Sequence, residues 1–165
     1  MSAPTSTKPE GLQSSMIEDF GLRIGDAMGW PRMAGRAAGA LMLSEKPLTL
    51  AELQDALEAS KGSVSETTRL LIDNGVVDRF KESGQRQFVY QWRSDAWIGC
   101  LKHQLHATEQ LFEFAQHAEG MATDLADEQR RRLHEMAGYY RFMVERLQNL
   151  LAEYIETWNM DQEEP

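Results

Sequence analysis

The chain has 165 residues, 42% hydrophobic and 26% charged, a balance ordinary for a folded protein and unlike that of a disordered one. One cysteine, Cys100, excludes an internal disulfide framework and a cysteine-rich zinc site; no apolar run nears the ~20 residues of a membrane span, and the first residues lack the order of a secretory signal, so a cytoplasmic protein without a membrane partner is expected. The net charge of −9 does not exclude nucleic acid, because residues 31–93 carry 9 basic and 8 acidic groups while residues 94–165 carry 6 and 14.

Residues 1–13 hold Pro4, Pro9 and Gly11 among small polar residues and are expected to form a flexible arm. From Ser14 the pattern changes. Met16, Ile17, Phe20, Ile24 and Met28 recur at helical intervals up to the break at Gly29-Trp30-Pro31, which defines an N-terminal helical segment, 14–30. A second helix is predicted from Pro31 to about Leu43, with Gly35, Ala38 and Gly39 permitting close packing. Thr49-Leu50-Ala51-Glu52 is a capping-box sequence, so a short helix runs to about Ala59 with Leu50, Leu53 and Leu57 inward.

The stretch from Ser60 to Gly75 carries the strongest functional signal. Ser60 is an N-cap residue and Asn74-Gly75 a C-terminal stop, so both ends of a helix are marked. Val64, Thr68, Leu71 and Ile72 fall on one face, leaving Lys61, Ser63, Ser65, Thr67 and Arg69 pointing outward. Small hydroxyls let a helix lie deep against base edges, and Lys or Arg reaches phosphate or guanine, so this face, with Ser60 at its start among the DNA-binding candidates, fits a DNA major groove. Taken alone it also fits the solvated face of an ordinary helix. Two short helices joined by a tight turn, the second with a polar outer face, make a helix-turn-helix. Next come Val76–Phe80, a turn around Gly84, and Arg86–Arg93, in which Phe88, Tyr90 and Trp92 alternate onto one face. This pattern predicts a β-hairpin wing, with Arg79, Lys81 and Arg86 near its tip beside phosphates or a minor groove. Screening over roughly 8 Å at physiological salt keeps such a surface effective despite the acidic remainder of the chain.

Ser94-Asp95 caps a further helix with Trp97, Leu101, Leu105, Thr108, Phe112 and Ala115 on one stripe, ending near Gly120. The longest element follows Thr123-Asp124 and runs to about Trp158. Its Leu133, Met136, Tyr140, Met143, Leu147, Leu150 and Tyr154 repeat at alternating spacings of three and four, a heptad seam. Such a helix needs apolar partners on more than one edge, which the preceding helix and a second copy of the chain would supply. A helical pair within one chain is the simpler alternative. The expected organisation is therefore mainly α with a small β-hairpin wing: a winged helix-turn-helix DNA-binding domain over 31–93, and a helical dimerisation region over 94–165 to which 14–30 contributes.

The segments Gly29-Trp30-Pro31-Arg32-Met33-Ala34-Gly35-Arg36-Ala37-Ala38-Gly39, Ser44-Glu45-Lys46-Pro47-Leu48-Thr49-Leu50, Ser60-Lys61-Gly62-Ser63-Val64-Ser65 and Gly84-Gln85-Arg86-Gln87-Phe88 resemble the GbsR-like branch of the MarR family of winged-helix repressors. They are also similar to mycobacterial repressors of RND-type efflux transporters. The resemblance covers residues 14–93 by motif and the helical tail by architecture. It implies a symmetric homodimer on a double-stranded, pseudopalindromic operator, released by a small ligand held between the dimerisation and DNA-binding parts. It places Lys61, Ser63, Ser65, Thr67 and Arg69 on the recognition face and Arg86 at the basic position of the wing. The chain departs from the common pattern at Thr68, where relatives often have Leu, and at Gln87, where a second basic residue is frequent.

Aromatic and methionine residues are abundant, and Phe20, Met28, Trp30, Trp97 and Phe112 are candidates to line a crevice for a small lipophilic effector, or simply to form core. His103 and His106, with Glu109, Glu113 and His117 further along, lack a second strong ligand group, so no metal is expected. Cys100, between Trp97 and Leu101, is expected to be a buried structural thiol. No nucleophile-base order, phosphate loop or paired carboxylates stand out, and neither catalysis nor a cofactor is expected. Two other functions stay open at this stage: a protein-interaction adaptor that uses the winged helix without DNA, and a metal or ligand sensor acting through a protein partner.

Overall fold

The computed structural model describes residues 9–163. Its first helix, α1, spans Pro9–Met28. The expected arm therefore ends sooner than composition suggests: residues 9–13 are helical, because proline is tolerated in a first helical turn, while residues 1–8 lie outside the described residues. Gly29 at φ +66° ends α1, and the backbone N–H of Trp30 donates to Gly25 O at 2.8 Å. Helix α2, Arg32–Met42, follows with Pro31 as its N-cap.

Small residues bring α1 and α2 into backbone contact. A Cβ placed on Gly35 would meet Phe20 O at 2.5 Å and Gly21 Cα at 2.9 Å, and one on Gly39 would meet Phe20 Cβ at 2.9 Å. The other side of α2 buries Ala34, Ala37, Ala38 and Leu41. Its Arg36 and Arg32 both reach back to Glu18 on α1, at 2.7 and 2.9 Å. Burial pushes the Glu18 carboxyl up, but the hydrogen bonds and charges of the two arginines outweigh it and hold the group below the usual carboxylate range.

Strand β1, Leu48–Thr49, leads directly into helix α3, Leu50–Leu57. The capping box forms as its sequence specifies: Thr49 Oγ1 accepts from Glu52 N at 3.2 Å, and Glu52 Oε2 accepts from Thr49 N at 2.7 Å. Helix α4, Lys61–Asp73, follows after a three-residue turn, with Ser60 Oγ accepting from Ser63 N. At its far end Asn74 donates its side-chain amide to Leu70 O, and Gly75 takes φ +71°. Strands β2, Val77–Phe80, and β3, Val89–Trp92, complete a three-stranded antiparallel sheet in the order β1-β3-β2. Tyr90 lies opposite both Leu48 and Arg79. Leu53, Leu57, Val64, Thr68, Leu71, Val76 and Val77 form the centre of the core, each 2% exposed or less.

The chain divides into two compact units, with the boundary between Ala96 and Trp97. The second unit is built from helix α5, Ala96–Gly120, a 3-10 turn at Ala122–Asp124, and helix α6, Asp127–Glu163. At 1.5 Å per residue α6 is about 55 Å long. The two helices run antiparallel, since Glu119 pairs with His134, the Phe112 ring lies under Arg141, and Glu109 accepts from Gln148. Of the heptad seam, Leu147 is buried, Leu133, Met136, Tyr140, Met143 and Tyr154 are half-buried, and Leu150 is exposed. Leu111, Phe114, Tyr139 and Phe142 are also exposed.

Candidate nucleic-acid interface

Helix α4 and the hairpin between β2 and β3 bring the predicted polar residues together, with one exception. Lys61 and Arg69 are exposed, and Ser63 and Ser65 half-buried, on the outer side of α4. Thr67 is 7% exposed and belongs to the inner face with Val64, Thr68 and Leu71. At 100° per residue, positions 64, 67, 68 and 71 form one tight stripe, whereas Ile72, assigned inward from sequence, sits at its margin and is half-buried. The assignment of Thr67 to the recognition face is thus corrected. Thr68 is accommodated inside by donating its hydroxyl to Ser65 O at 3.1 Å. Glu66, exposed beside Arg69, shares the outer face.

In the wing, Gly84 at φ +80° makes the turn and residues 81–88 are all exposed. Strand β3 starts at Val89, so the expected alternation of Phe88, Tyr90 and Trp92 onto one covered face does not hold. Val89 and Tyr90 are both buried, because β3 is the central strand, while Phe88 is 39% exposed. The Phe88 ring instead carries two cations, with the Arg79 guanidinium 3.6 Å and the Lys81 ammonium 4.8 Å from its centroid. This stacking preorganises two long basic side chains that would otherwise be mobile.

Two clefts flank the arrangement. One, of about 350 Å³, is lined by Leu50, Ala51 and Gln54 of α3, Lys61 of α4, and Arg79, Arg86, Gln87, Phe88 and Tyr90. The other, of about 540 Å³, lies between Ser65 and Arg69 of α4 and Asp78, Arg79 and Tyr90 of the sheet. Arg79 lines both, so the start of α4, its outer face and the wing form one continuous surface. Gln54 joins it through tertiary proximity that no local motif signals.

Ion pairing separates the basic residues of 31–93 into two sets. Arg32 and Arg36 are held by Glu18, Lys46 by Glu52, and Arg93 by Asp95 and Asp78. Arg93 is raised in pKa first by its hydrogen bond to Asp95, and it braces the base of the hairpin. Lys61, Arg69, Arg79, Lys81 and Arg86 have no carboxylate within ion-pair distance among the described residues, and all five lie on the α4–wing surface. Cations kept apart from internal acids are the ones available to phosphate.

The candidate effector residues are spread over both units. Phe20 lines a shallow groove of about 220 Å³ on α1 with Met16, Asp19, Arg23 and Ile24, without the other four. Met28 and Trp97 are exposed, Trp30 half-buried after α1, and Phe112 half-buried under Arg141. Cys100 is half-buried rather than enclosed, and burial raises its thiol pKa, which disfavours the reactive thiolate. No group of three His, Cys, Asp or Glu side chains gathers as metal ligands among the described residues, and no described helix is long and apolar enough to cross a membrane.

The profile of MmpR5-like MarR family transcriptional regulators matches residues 95–157, which lie almost wholly in the second unit. The chain is 28% identical over 131 residues to the HTH-type transcriptional regulator MmpR5 of Mycobacterium tuberculosis, spanning 79% of each protein. It is 34% identical over 86 residues to the HTH-type transcriptional repressor OpcR of Bacillus subtilis, covering 52% of this chain and 46% of OpcR. A putative HTH-type regulator of the same organism, YvaV, is 33% identical over 69 residues, 42% of this chain and 39% of the relative. A crystal structure described as that of a transcriptional regulator superposes with a TM-score of 0.80 at 26% identity, covering 87% of this chain and 98% of that one.

Proposed function

We propose that this DNA-binding transcriptional regulator, similar to the MmpR5-like MarR family regulators, is a homodimeric repressor that reads a pseudopalindromic operator through α4 and its wing. The observation that carries the assignment of the site is the set of five cations without internal ion pairs on that surface. Lys61, Ser63, Ser65 and Arg69 meet base edges and adjacent phosphates in the major groove. Arg79, Lys81 and Arg86 hold the backbone beside it. Two copies related by a two-fold axis present their α4 helices about 34–36 Å apart, one helical turn of DNA.

The apolar residues exposed on the second unit, Leu111, Phe114, Tyr139, Phe142 and Leu150, support dimerisation through α5 and α6. A small lipophilic effector that binds more tightly to a spacing incompatible with the operator would release it, and only such differential binding can do so. The groove on α1 that Phe20 lines with Met16 and Ile24 is the proposed apolar contact for it. The name of OpcR as a repressor supports the negative sign of regulation.

The test is binding of the purified protein to its own upstream DNA and to a scrambled duplex at two salt concentrations. Tight, sequence-dependent and salt-sensitive binding is expected. Arg86→Ala should weaken both duplexes and reduce the salt slope by about 1, whereas Ser65→Ala and Arg69→Ala should alter the preference between sequences. Equal losses on both duplexes for all three variants would refute the division between reading and positioning residues.

A further inference from the structure

Arg36 occupies a place that its charge alone does not explain. Its side chain is only 18% exposed, and its guanidinium serves two elements besides its own. Nε donates to Glu18 Oε1 on α1 at 2.7 Å, while Nη1 donates to the Leu57 carbonyl oxygen, at the last residue of α3, at 3.0 Å. The route between them is left open by Gly21 on α1, where a Cβ would lie 2.5 Å from Arg36 Cγ. Leu57 immediately precedes the turn that aims α4. In that turn Glu58 adopts φ +50°, the one described non-glycine residue in the left-handed region, and Ala59 N donates to Gln54 O at 3.1 Å. A strained turn of this kind persists only where surrounding contacts hold it.

We infer that Arg36 is a positioning residue for DNA recognition, tying the α3–α4 turn to α1, so that the presentation of the recognition helix depends on where α1 sits. The chemistry favours arginine. A planar guanidinium offers donors on separate nitrogens at a fixed spacing, Nε to the carboxylate and Nη1 to the carbonyl, whereas lysine must donate to both from one nitrogen. Arg32 provides an internal contrast, since it bonds the same Glu18 at 2.9 Å but is 59% exposed and, among the described residues, makes no hydrogen bond to α3. Disturbing α1, by a ligand or a subunit shift, moves Glu18 and thereby releases or tightens the turn. This gives α1 a direct mechanical route to α4 within the first unit.

The affinity arm of the test rests on the DNA-binding function proposed above, and a second arm does not. Arg36→Met keeps the side-chain stem over Gly21 and removes the guanidinium. It should lower operator affinity about tenfold, the effect of losing charge-assisted hydrogen bonds, and weaken scrambled DNA much less. Its salt slope should match wild type because Arg36 lies away from the α4–wing surface, unlike that of Arg86→Ala. Arg36→Lys should fall between the two, and Arg32→Gln should stay near wild type. Without DNA, amide hydrogen exchange at Ala59 should quicken in Arg36→Met and stay unchanged in Arg32→Gln. If Arg36→Met fails to fold at the assay temperature, Glu18→Ala, which leaves the arginine no side-chain acceptor at that position of α1 while sparing its bond to Leu57, must show the same faster exchange. Unchanged exchange at Ala59, equal loss on operator and scrambled DNA, or equal effects of Arg32→Gln and Arg36→Met would overturn the inference. Failure of wild type to prefer operator DNA, with exchange behaving as expected, would count against the DNA function and leave the tether standing.

Discussion

Gly35→Ala should pry α1 from α2, and the structure gives the scale of the damage. The new methyl group would stand 2.5 Å from Phe20 O, 2.9 Å from Gly21 Cα and 3.1 Å from Gly25 N. All three are backbone atoms, so no side-chain rotation relieves the overlap. Carbon contacts settle at about 3.5–4.0 Å, which requires α1 to retreat by roughly 0.5–1 Å and to forfeit a quarter to a half of the dispersion energy along the contact. Overpacking of this type costs about 1–3 kcal/mol, from which the better helix propensity of alanine returns about 1 kcal/mol. With all three close contacts made to backbone the cost lies at the upper end of that range, so a net loss of about 2 kcal/mol should lower the melting temperature by roughly 4–8 °C. Gly62→Ala is the matched control, because a Cβ there meets nothing within 4 Å and Gly62 lies in the first turn of α4. It should be neutral or stabilising by up to about 1 kcal/mol. Urea and thermal unfolding of both variants without DNA decide the matter. A Gly35→Ala protein as stable as wild type would refute the claim that α1 and α2 are joined backbone to backbone.

Two other substitutions probe the turns that bound α3. Glu58→Gly should stabilise the fold by about 0.5–1 kcal/mol, since a left-handed conformation costs a residue bearing Cβ about 1–2 kcal/mol and the greater unfolded freedom of glycine returns about 0.4–1 kcal/mol of that. A lower unfolding midpoint would show that the Glu58 side chain contributes more than its backbone strain costs. The Glu52 carboxyl is held down to about 2, first by its hydrogen bond from Lys46 and then by the Thr49 backbone N–H and hydroxyl. Because its folded pKa is depressed, the stability it supplies is present above the ordinary carboxylate range and is lost as pH falls toward 2. Glu52→Gln should therefore be less stable than wild type at pH 7 and converge with it by about pH 2. Melting curves across that interval should show the gap closing, and a constant gap would contradict the pKa assignment.

Much of the fold was legible because it is locally encoded. Ser60, Thr49 with Glu52, Asn74 and Gly75 act on backbone groups within a few residues, so the ends of α3 and α4 follow from neighbouring chemistry. The surface proposed as the site was legible in part, since the polar residues on α4 and the basic wing follow from local pattern. Other features were less so. Strand β1 is two residues long and exists through pairing with Val89 and Tyr90, some forty positions away. Thr67 was misplaced because helical spacing fixes which residues share a face but leaves its centre to packing, and a threonine is small enough to be buried. Phe88 follows an alternating pattern that belongs to covered sheet, yet it stands where the hairpin has left the ladder.

Sequence by itself determined the order of the six helices and the two hairpin strands, the caps of α3 and α4, the heptad period of α6 and the concentration of acidity in the last seventy residues, since all of these depend on separations of a few positions or on counting. Only the tertiary structure decided which charges are spent. Arg32, Arg36, Lys46 and Arg93 look no different in sequence from Lys61, Arg69, Arg79, Lys81 and Arg86, yet folding pairs the first four with acids and leaves the other five on one surface. An ion pair needs two groups within about 4 Å, and Glu18 reaches Arg36 only because glycines let α1 and α2 meet at their backbones.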